Sequence, residues 1–386
     1  MNDWRGTSLP DTTHSAQPRS DELQPDWSFH PGELLANLLE EKDIRQSELA
    51  ERTGMSAKHV NQLVSRSIGV TGDTAVLLER ALGLRASFWL EAQADWDLSI
   101  SRQKATAASR AFETWAHGFD QSALLHHGVI DRQDDSDALI EKLLRFFGVS
   151  SPTAFDETWM KPRVSFRRAQ KFTVKEKNTA LWLRLVDRTA MGRHTADLQP
   201  RALKQAVKEL PGLTRLPLSE GFIAARQVLG EAGVVLLFVP EVDGTRLCGA
   251  TWWLDARRPV IAVTQRYRKT DSFWFNIFHE VGHVVMHPKR ETFLNIERDK
   301  TTNDGAEDEA NEYARDLLIG DSLPEILAAQ TREDFIRVAR HLSVGVSIVA
   351  GQYMNARKEY GGLPAKLRTA ISDSDVATLE KISKPA

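Results

Sequence analysis

The sequence predicts a multidomain fold: an all-α helix-turn-helix domain, a helical middle region, and an α+β domain. Three observations carry this. Between His30 and Leu98 short apolar periodicities are broken by glycines, as in a packed set of short helices. Residues 99 to 215 hold longer amphipathic stretches with little strand signal. Further on, the β-branched run Val234–Val239 and a hairpin pattern precede an apolar helix from Phe273 to Met286. At 386 residues the chain has room for two or three domains. The boundaries read as a flexible polar tail at 1–28, then 29–98, 99–215, 216–360 and a tail at 361–386.

In the first domain Leu34, Leu35, Leu38 and Leu39 form one apolar face. Gln46–Thr53 makes the next helix, with Gly54 suited to the turn that ends it. Ser56 caps a third helix whose Val60, Leu63 and Val64 face inward. Helix, glycine turn, helix is the helix-turn-helix pattern. It would place Lys58, His59, Asn61 and Gln62 toward base edges and phosphates of double-stranded DNA, with Gln46, Ser47 and Arg66 as phosphate contacts. Acidic residues outnumber basic ones from 30 to 95, so the electrostatic footprint is weak and a dimer would help by doubling the contacts.

In the middle region Leu139–Val149 and Ala180–Met191 read as amphipathic helices, the first ended by Gly148. Basic residues dominate from Lys161 to Lys208, which reads as a solvated helical face, with contact to DNA phosphates as the alternative. The region is expected to connect the domains and to mediate dimer contacts.

In the third domain a helix at Gly221–Glu231 precedes the Val234–Val239 strand; Gly249–Leu254 and Val260–Thr264 form a hairpin. Ala250–Trp253 is the expected sheet edge for an extended peptide. Phe335–Leu342 and Ser347–Arg357 read as a helix pair packed on this domain. Cys248 reads as a small buried strand residue.

The most informative segment is His279-Glu280-Val281-Gly282-His283. Two histidines four apart share a helix face with a carboxylate beside them, the spacing of a zinc peptidase site. Zinc takes three protein ligands and keeps one position open, and the adjacent Glu280 is placed to act as general base. The surrounding Phe273, Trp274, Phe278, Val281 and Val284 mark a buried helix, where polar groups need partners. Downstream, Glu307, Ala310, Asn311 and Ala314 fall on one helical stripe. Glu307 is therefore the expected third ligand and Asn311 the group supporting a ligand imidazole. Glu309 is the alternative ligand. His287 lies four residues past His283, but a helix has turned about 80° by then relative to His279, and Pro288 follows; it reads as a histidine at the helix end or pocket edge. Tyr267 and His287 are the candidates for stabilising an oxyanion.

These residues resemble two families. The HEVGH helix, the E-x-x-A-N-x-Y-A helix after it and the Phe273-Trp274-Phe275 lead-in look like the ImmA/IrrE zinc metallopeptidases, related to the gluzincins. That resemblance implies a zincin-like metallopeptidase domain with one Zn2+ per chain on His279, His283 and Glu307, and Glu280 as base. Asn311 corresponds to the gluzincin Asp that supports a ligand, and Tyr313 stands where Phe is common. It also implies cleavage of a protein substrate, often a transcriptional regulator. His30-Pro31-Gly32-Glu33, the Q-x-E-L-A-E-R-x-G core, Thr74–Gly83, Phe88-Trp89-Leu90 and Trp96-Asp97-Leu98 look like the Xre-type domain of HigA-like antitoxins. That resemblance implies operator binding as a homodimer and brings in a cognate toxin as a partner. Such antitoxins are usually single-domain, whereas this chain continues far beyond. The L-x-x-F-F-G-V and Val164–Arg168 stretches look like those of long proteins joining both modules.

Composition agrees. With 41% hydrophobic residues the chain can build real cores, and it has no apolar stretch of about 20 residues to span a membrane. The first 28 residues lack a signal-peptide core. A single cysteine excludes an intrachain disulfide and fits a reducing cytoplasm. Net charge of −3 selects no partner. Two function classes result. One is a DNA-binding transcriptional regulator joined to a zinc endopeptidase that cleaves a partner regulator or itself. The other is a non-enzymatic antitoxin or repressor with a structural or sensing metal site.

Overall fold

The computed structural model describes residues 29–160, 175–193, 196–287, 293–296 and 305–384. The amino-terminal stretch 1–28, the Val164–Arg168 segment and part of the basic stretch after Lys161 lie outside them. Contacts divide the chain into two compact units, Met1–Arg110 and Ala111–Ala386.

The described residues of the first unit form α1 (Pro31–Glu41), α2 (Gln46–Thr53), α3 (Ala57–Val64), α4 (Gly72–Leu82) and α5 (Ala86–Ser109). Local chemistry sets their ends. The His30 ring accepts from the Gly32 N–H at 2.9 Å just before Pro31 opens α1. Gly54, at φ 73, closes α2 in the left-handed conformation that favours glycine. Ser56 Oγ accepts from the His59 N–H at 3.1 Å to start α3. Leu35, Leu49, Val60, Leu63, Leu78 and Trp89 form the core these helices share.

The second unit begins with α6 (Glu113–Ala116), α7 (Gln121–His126), α8 (Ser136–Phe147), α9 (Pro152–Phe155), α10 (Glu176–Met191), α11 (Pro200–Leu213) and α12 (Leu218–Glu231). The sheet strands are β1 (Val235–Phe238), β2 (Leu247–Asp255), β3 (Arg258–Val263) and β4 (Phe293–Ile296). Helix α13 (Thr270–Met286) lies between β3 and β4 in sequence. After them come α14 (Gly305–Ile319), α15 (Leu323–Ala328), α16 (Arg332–His341), α17 (Val346–Arg357), α18 (Gly362–Leu367) and α19 (Asp373–Ser383). The sheet order is β1-β3-β2-β4, with β1 parallel to β3 and the other pairs antiparallel.

The apolar run of β1 has a direct consequence. A strand without polar alternation is covered on both faces, and here Leu236 and Phe238 join one core while Val235 and Leu237 join another. The first face carries α11–α14 with Phe222, Phe273, Ile277 and Phe278. The second face is covered by α6–α10 with Trp115, Phe147, Phe155 and Trp182. The middle region from Ala111 onward is therefore half of this unit's core rather than a connector. Polar pins secure it: Trp182 Nε1 donates to the Val239 carbonyl at 3.2 Å, and Asn178 Nδ2 to the Asp243 carbonyl at 2.8 Å.

Two further expectations are corrected. Ala250 and Thr251, half of the expected edge Ala250–Trp253, are no sheet edge, because they pair with β3 on one side and β4 on the other. The edges among the described strands are β1 and β4. Nor is 361–384 a tail. Helix α19, opened by a Ser372/Asp375 capping box, inserts Leu379 into the core, and Arg193 and Arg226 donate to carbonyls at its carboxyl end. The α16–α17 pair packs on the core through Phe335, Val338, Ile348 and Val349, as the sequence suggests. Cys248 is buried in β2, also as expected. Among the described residues no helix is long and apolar enough to cross a membrane.

Candidate metal centre and nucleic-acid interface

Helix α13 runs through the core with Phe273, Ile277, Phe278 and Val281 on its buried faces, which carries His279, Glu280 and His283 into the interior at 0–1% exposure. Helix α14 packs along it. Gly282 permits the approach: a Cβ there would sit 3.3 Å from Ala310 Cα and 3.2 Å from the Tyr313 ring. Tyr313 thus fills a packing position. Across this contact Glu307 reaches both imidazoles, Oε2 lying 3.3 Å from His279 Nε2 and Oε1 3.4 Å from His283 Nε2. The two Nε2 atoms are 3.1 Å apart. The structure therefore brings together the three expected donors.

The outward-facing nitrogens of the two imidazoles are engaged. His279 Nδ1 is 3.0 Å from Asn311 Oδ1, so it donates there and turns the Nε2 lone pair toward the cluster. His283 Nδ1 is 2.9 Å from His287 Nδ1, and His287 Nε2 is 3.2 Å from Glu309 Oε2. A proton on His283 Nδ1 and another on His287 Nε2 satisfy this chain, again leaving the His283 Nε2 lone pair facing inward. Glu309 is 64% exposed and bonds His287, so it stands outside the donor cluster, and His287 supports His283 from behind.

Two lone pairs and a carboxylate aimed at one point repel unless a cation lies between them. Without one, a proton on His279 Nε2 takes that place toward Glu307. Burial lowers the His279 pKa, but the hydrogen bond to Glu307 and the charges of Glu280 and Glu307 prevail and raise it. Burial lowers that of His283, assisted by the His279 and His287 charges, despite the hydrogen bond to Glu307. Burial works to raise the Glu307 pKa, yet its bonds to both histidines hold it well below the usual carboxylate range. A tetrahedron with bonds of about 2.0–2.1 Å has edges of about 3.3 Å, close to the three donor separations. The donors fit zinc.

Strand β2 supplies what the sequence did not disclose. Gly249 and Thr251, two apart and so on one strand face, meet Glu280. Thr251 Oγ1 donates to Glu280 Oε2 at 2.7 Å, and a Cβ at Gly249 would lie 2.7 Å from Glu280 Oε1. Only the strand register reveals this pairing, which no motif spacing could. His279, Glu307 and Asn311 line a cavity of about 640 Å³ together with Tyr267, Lys269, Asn276, Gln352 and Arg368. Tyr267 is 51% exposed on its rim and holds φ 67, the left-handed region that bulky residues avoid. Of the two oxyanion candidates, Tyr267 reaches the cavity lining and His287 does not.

In the first unit α3 presents Lys58 and Asn61 on its exposed side, with His59 and Gln62 partly buried. Gln46 and Ser47 are exposed at the start of α2, and Asn61 Nδ2 donates to Gln46 Oε1 at 3.4 Å. Arg66, at φ 62 after α3, pairs with Glu33 at 3.4 Å. These seven residues lie on or beside the α2–α3 motif.

Residues 237–352 match the peptidase-family model described as the IrrE N-terminal-like domain, and residues 35–89 match a helix-turn-helix model. Virulence-associated protein I of Dichelobacter nodosus is 34% identical over 77 residues, 20% of this chain and 71% of that protein. Among solved structures, an antidote protein of a plasmid maintenance system from Nostoc punctiforme is 30% identical, covering 22% of this chain and 91% of its own at a TM-score of 0.21. A HigA-family addiction-module antidote protein from Coxiella burnetii is 27% identical, covering 22% and 92% at 0.21. The Pseudomonas aeruginosa antitoxin HigA, solved with the higBA promoter, is 34% identical, covering 22% and 89% at 0.20. By these matches the chain belongs, through its first unit, to the helix-turn-helix family of Virulence-associated protein I, and residues 237–352 of its second unit are similar to the IrrE N-terminal-like peptidase domain.

Proposed function

We propose that the chain is a transcriptional regulator in which an operator-binding helix-turn-helix is joined to a zinc-dependent endopeptidase that cleaves a partner regulator or its own chain. The observation that carries this is the convergence of His279 Nε2, His283 Nε2 and Glu307 beside a Glu280 carboxylate oriented by Thr251. A structural zinc site is closed by four protein ligands, whereas this cluster offers three donors and opens on a cavity. A purely structural zinc would also gain nothing from Glu280.

Zinc held by His279, His283 and Glu307 would supply Lewis acidity toward the scissile carbonyl and the attacking water. Glu280 takes the water proton and later delivers it to the leaving amine nitrogen. Asn311 and His287 hold the two imidazoles in the ligating tautomer. Tyr267, which lines the same cavity, is the candidate donor to the oxyanion in this reading.

On the DNA side, α3 enters the major groove with Lys58, His59, Asn61 and Gln62, while Gln46, Ser47 and Arg66 contact phosphates. A homodimer would read two half-sites. A cognate toxin would be a further partner of the first unit.

The test pairs metal content with proteolysis. A drop of one zinc equivalent per chain between the wild type and His283→Ala, together with proteolysis lost but zinc and DNA binding kept in Glu280→Gln, supports the enzyme. Unchanged cleavage in Glu280→Gln would sink the mechanism. Zinc without proteolysis of any partner regulator would move the site to a sensing or structural role in a repressor.

A further inference from the structure

A second cluster of metal-ligand type lies in the second unit, apart from the site described above. Helix α7 ends at His126. His127 follows as its C-cap at φ −90 and ψ 7, and Gly128 then turns the chain at φ 62. This ending lets two consecutive imidazoles leave the helix toward a common partner, their rings edge to face at 4.8 Å. The partner is Glu380 of α19. His126 Nε2 lies 2.9 and 3.1 Å from the two Glu380 oxygens, and His127 Nδ1 lies 3.9 Å from Oε1. All three donor atoms fall within 4.8 Å of one another.

We propose that His126, His127 and Glu380 form a second site for a divalent first-row transition cation, which clamps the carboxyl-terminal helix α19 to α7. Two imidazoles and one carboxylate suit zinc or its neighbours, whereas calcium and magnesium demand more oxygen donors. The carboxylate is 9% exposed and held among the elements it joins, while His126 is 55% exposed and leaves the site open on its outer side. That side faces an open cavity of about 1000 Å³ whose lining mixes Asp120, Asp243 and Asp373 with Arg246 and Arg266, roomy enough to admit a cation. Lys384 Nζ lies 3.4 Å from Glu380 Oε1 and supplies the positive charge that a metal would replace. It is 63% exposed and free to swing into solvent.

The clamp has a structural target. Leu379 of α19 is buried in the core, and Ser383 Oγ accepts from the Phe238 N–H of β1 at 2.9 Å. Cation binding would therefore tighten α19 against the outer strand of the sheet. The inference stands independently of whether the first site is catalytic.

The experiment titrates Zn2+ into chelator-treated full chain and counts bound metal. We expect a second equivalent in the wild type and one equivalent retained in His283→Ala. Adding His126→Ala or Glu380→Gln to His283→Ala should remove that equivalent or weaken it at least about tenfold. His126 is largely exposed, so His126→Ala keeps the test valid even if the Glu380 variant unfolds. Lys384→Gln should tighten binding by removing the competing charge, and hydrogen exchange across 373–383 should slow on zinc addition. No zinc bound to folded His283→Ala, or zinc binding there that is indifferent to His126→Ala, overturns the proposal.

Discussion

The Thr251 hydroxyl donates to Glu280 Oε2 at 2.7 Å and lies 3.2 Å from the Glu280 carbonyl, tying β2 to the centre of α13. Both residues are buried, so the carboxylate's orientation is set by the sheet and not by solvent. Removing a partner from a buried charged group costs about 1–3 kcal/mol or more, and a base without its orienting donor is less well placed to take the proton from water. Thr251→Val should therefore lower stability and cut proteolysis by roughly tenfold or more, with zinc content near wild type. Thr251→Ser should restore most of the activity. A Val variant as active as the wild type would show that Thr251 does not position the base.

Asn311 and His287 hold different imidazoles, His279 at 3.0 Å and His283 at 2.9 Å. Loss of such a supporting bond typically weakens metal affinity by about 10–100-fold. Asn311→Leu and His287→Ala should each show this in competition with a zinc chelator. Because the two supported imidazoles meet at one cluster, 3.1 Å apart and both against Glu307, the double variant should depart from the product of the two effects. Unaltered affinity in both singles would remove these residues from the metal's support.

The spacing of His279, Glu280 and His283 made the helix face legible, and the small residues Ala310 and Ala314 marked the stripe that brings Glu307 against it. Both are local periodicities, which sequence records directly. The role of Gly249 and Thr251 depended on which face of β2 meets α13, a register that no period reveals. The middle region was misjudged for a related reason. An amphipathic helix announces that it has a buried face but not what covers it, and the counterpart was the second face of the apolar β1 run. Helix α19 is faint in the sequence because its apolar residues Val376, Leu379 and Ile382 are sparse, although the Ser372 to Asp375 spacing is a capping signal.

Lys58 and Asn61 share the exposed side of α3, yet their expected contributions differ in kind. A lysine on a phosphate weakens binding on all sequences when removed, and lowers the salt slope by about one. A base contact such as that proposed for Asn61 relaxes discrimination at one position, by about 1–3 kcal/mol. Lys58→Ala and Asn61→Ala, compared by fluorescence anisotropy on operator and unrelated duplexes across a salt series, should separate on these two axes. Equal binding of both variants on every duplex would show that α3 is not the reading helix.

Asp334 closes the capping box of α16, accepting from the Thr331 and Gln330 N–H groups and from the Thr331 hydroxyl. The backbone bond from Thr331, then its hydroxyl and then Gln330 hold this carboxyl down at about 2 from 3.8. A depressed carboxyl favours the folded state once ionised, so its contribution is fully present above pH 3.8 and is lost as pH falls toward 2. Asp334→Asn keeps the shape and one acceptor oxygen but removes the charge. The variant should melt lower than the wild type at pH 7 and pH 5, with the gap closing between about pH 4 and pH 2. Since α16 buries Phe335 and Val338 in the core, loosening its first turn should also quicken hydrogen exchange through this helix. A melting gap of the same size at pH 2 as at pH 7 would place the effect in packing rather than in the ionised cap.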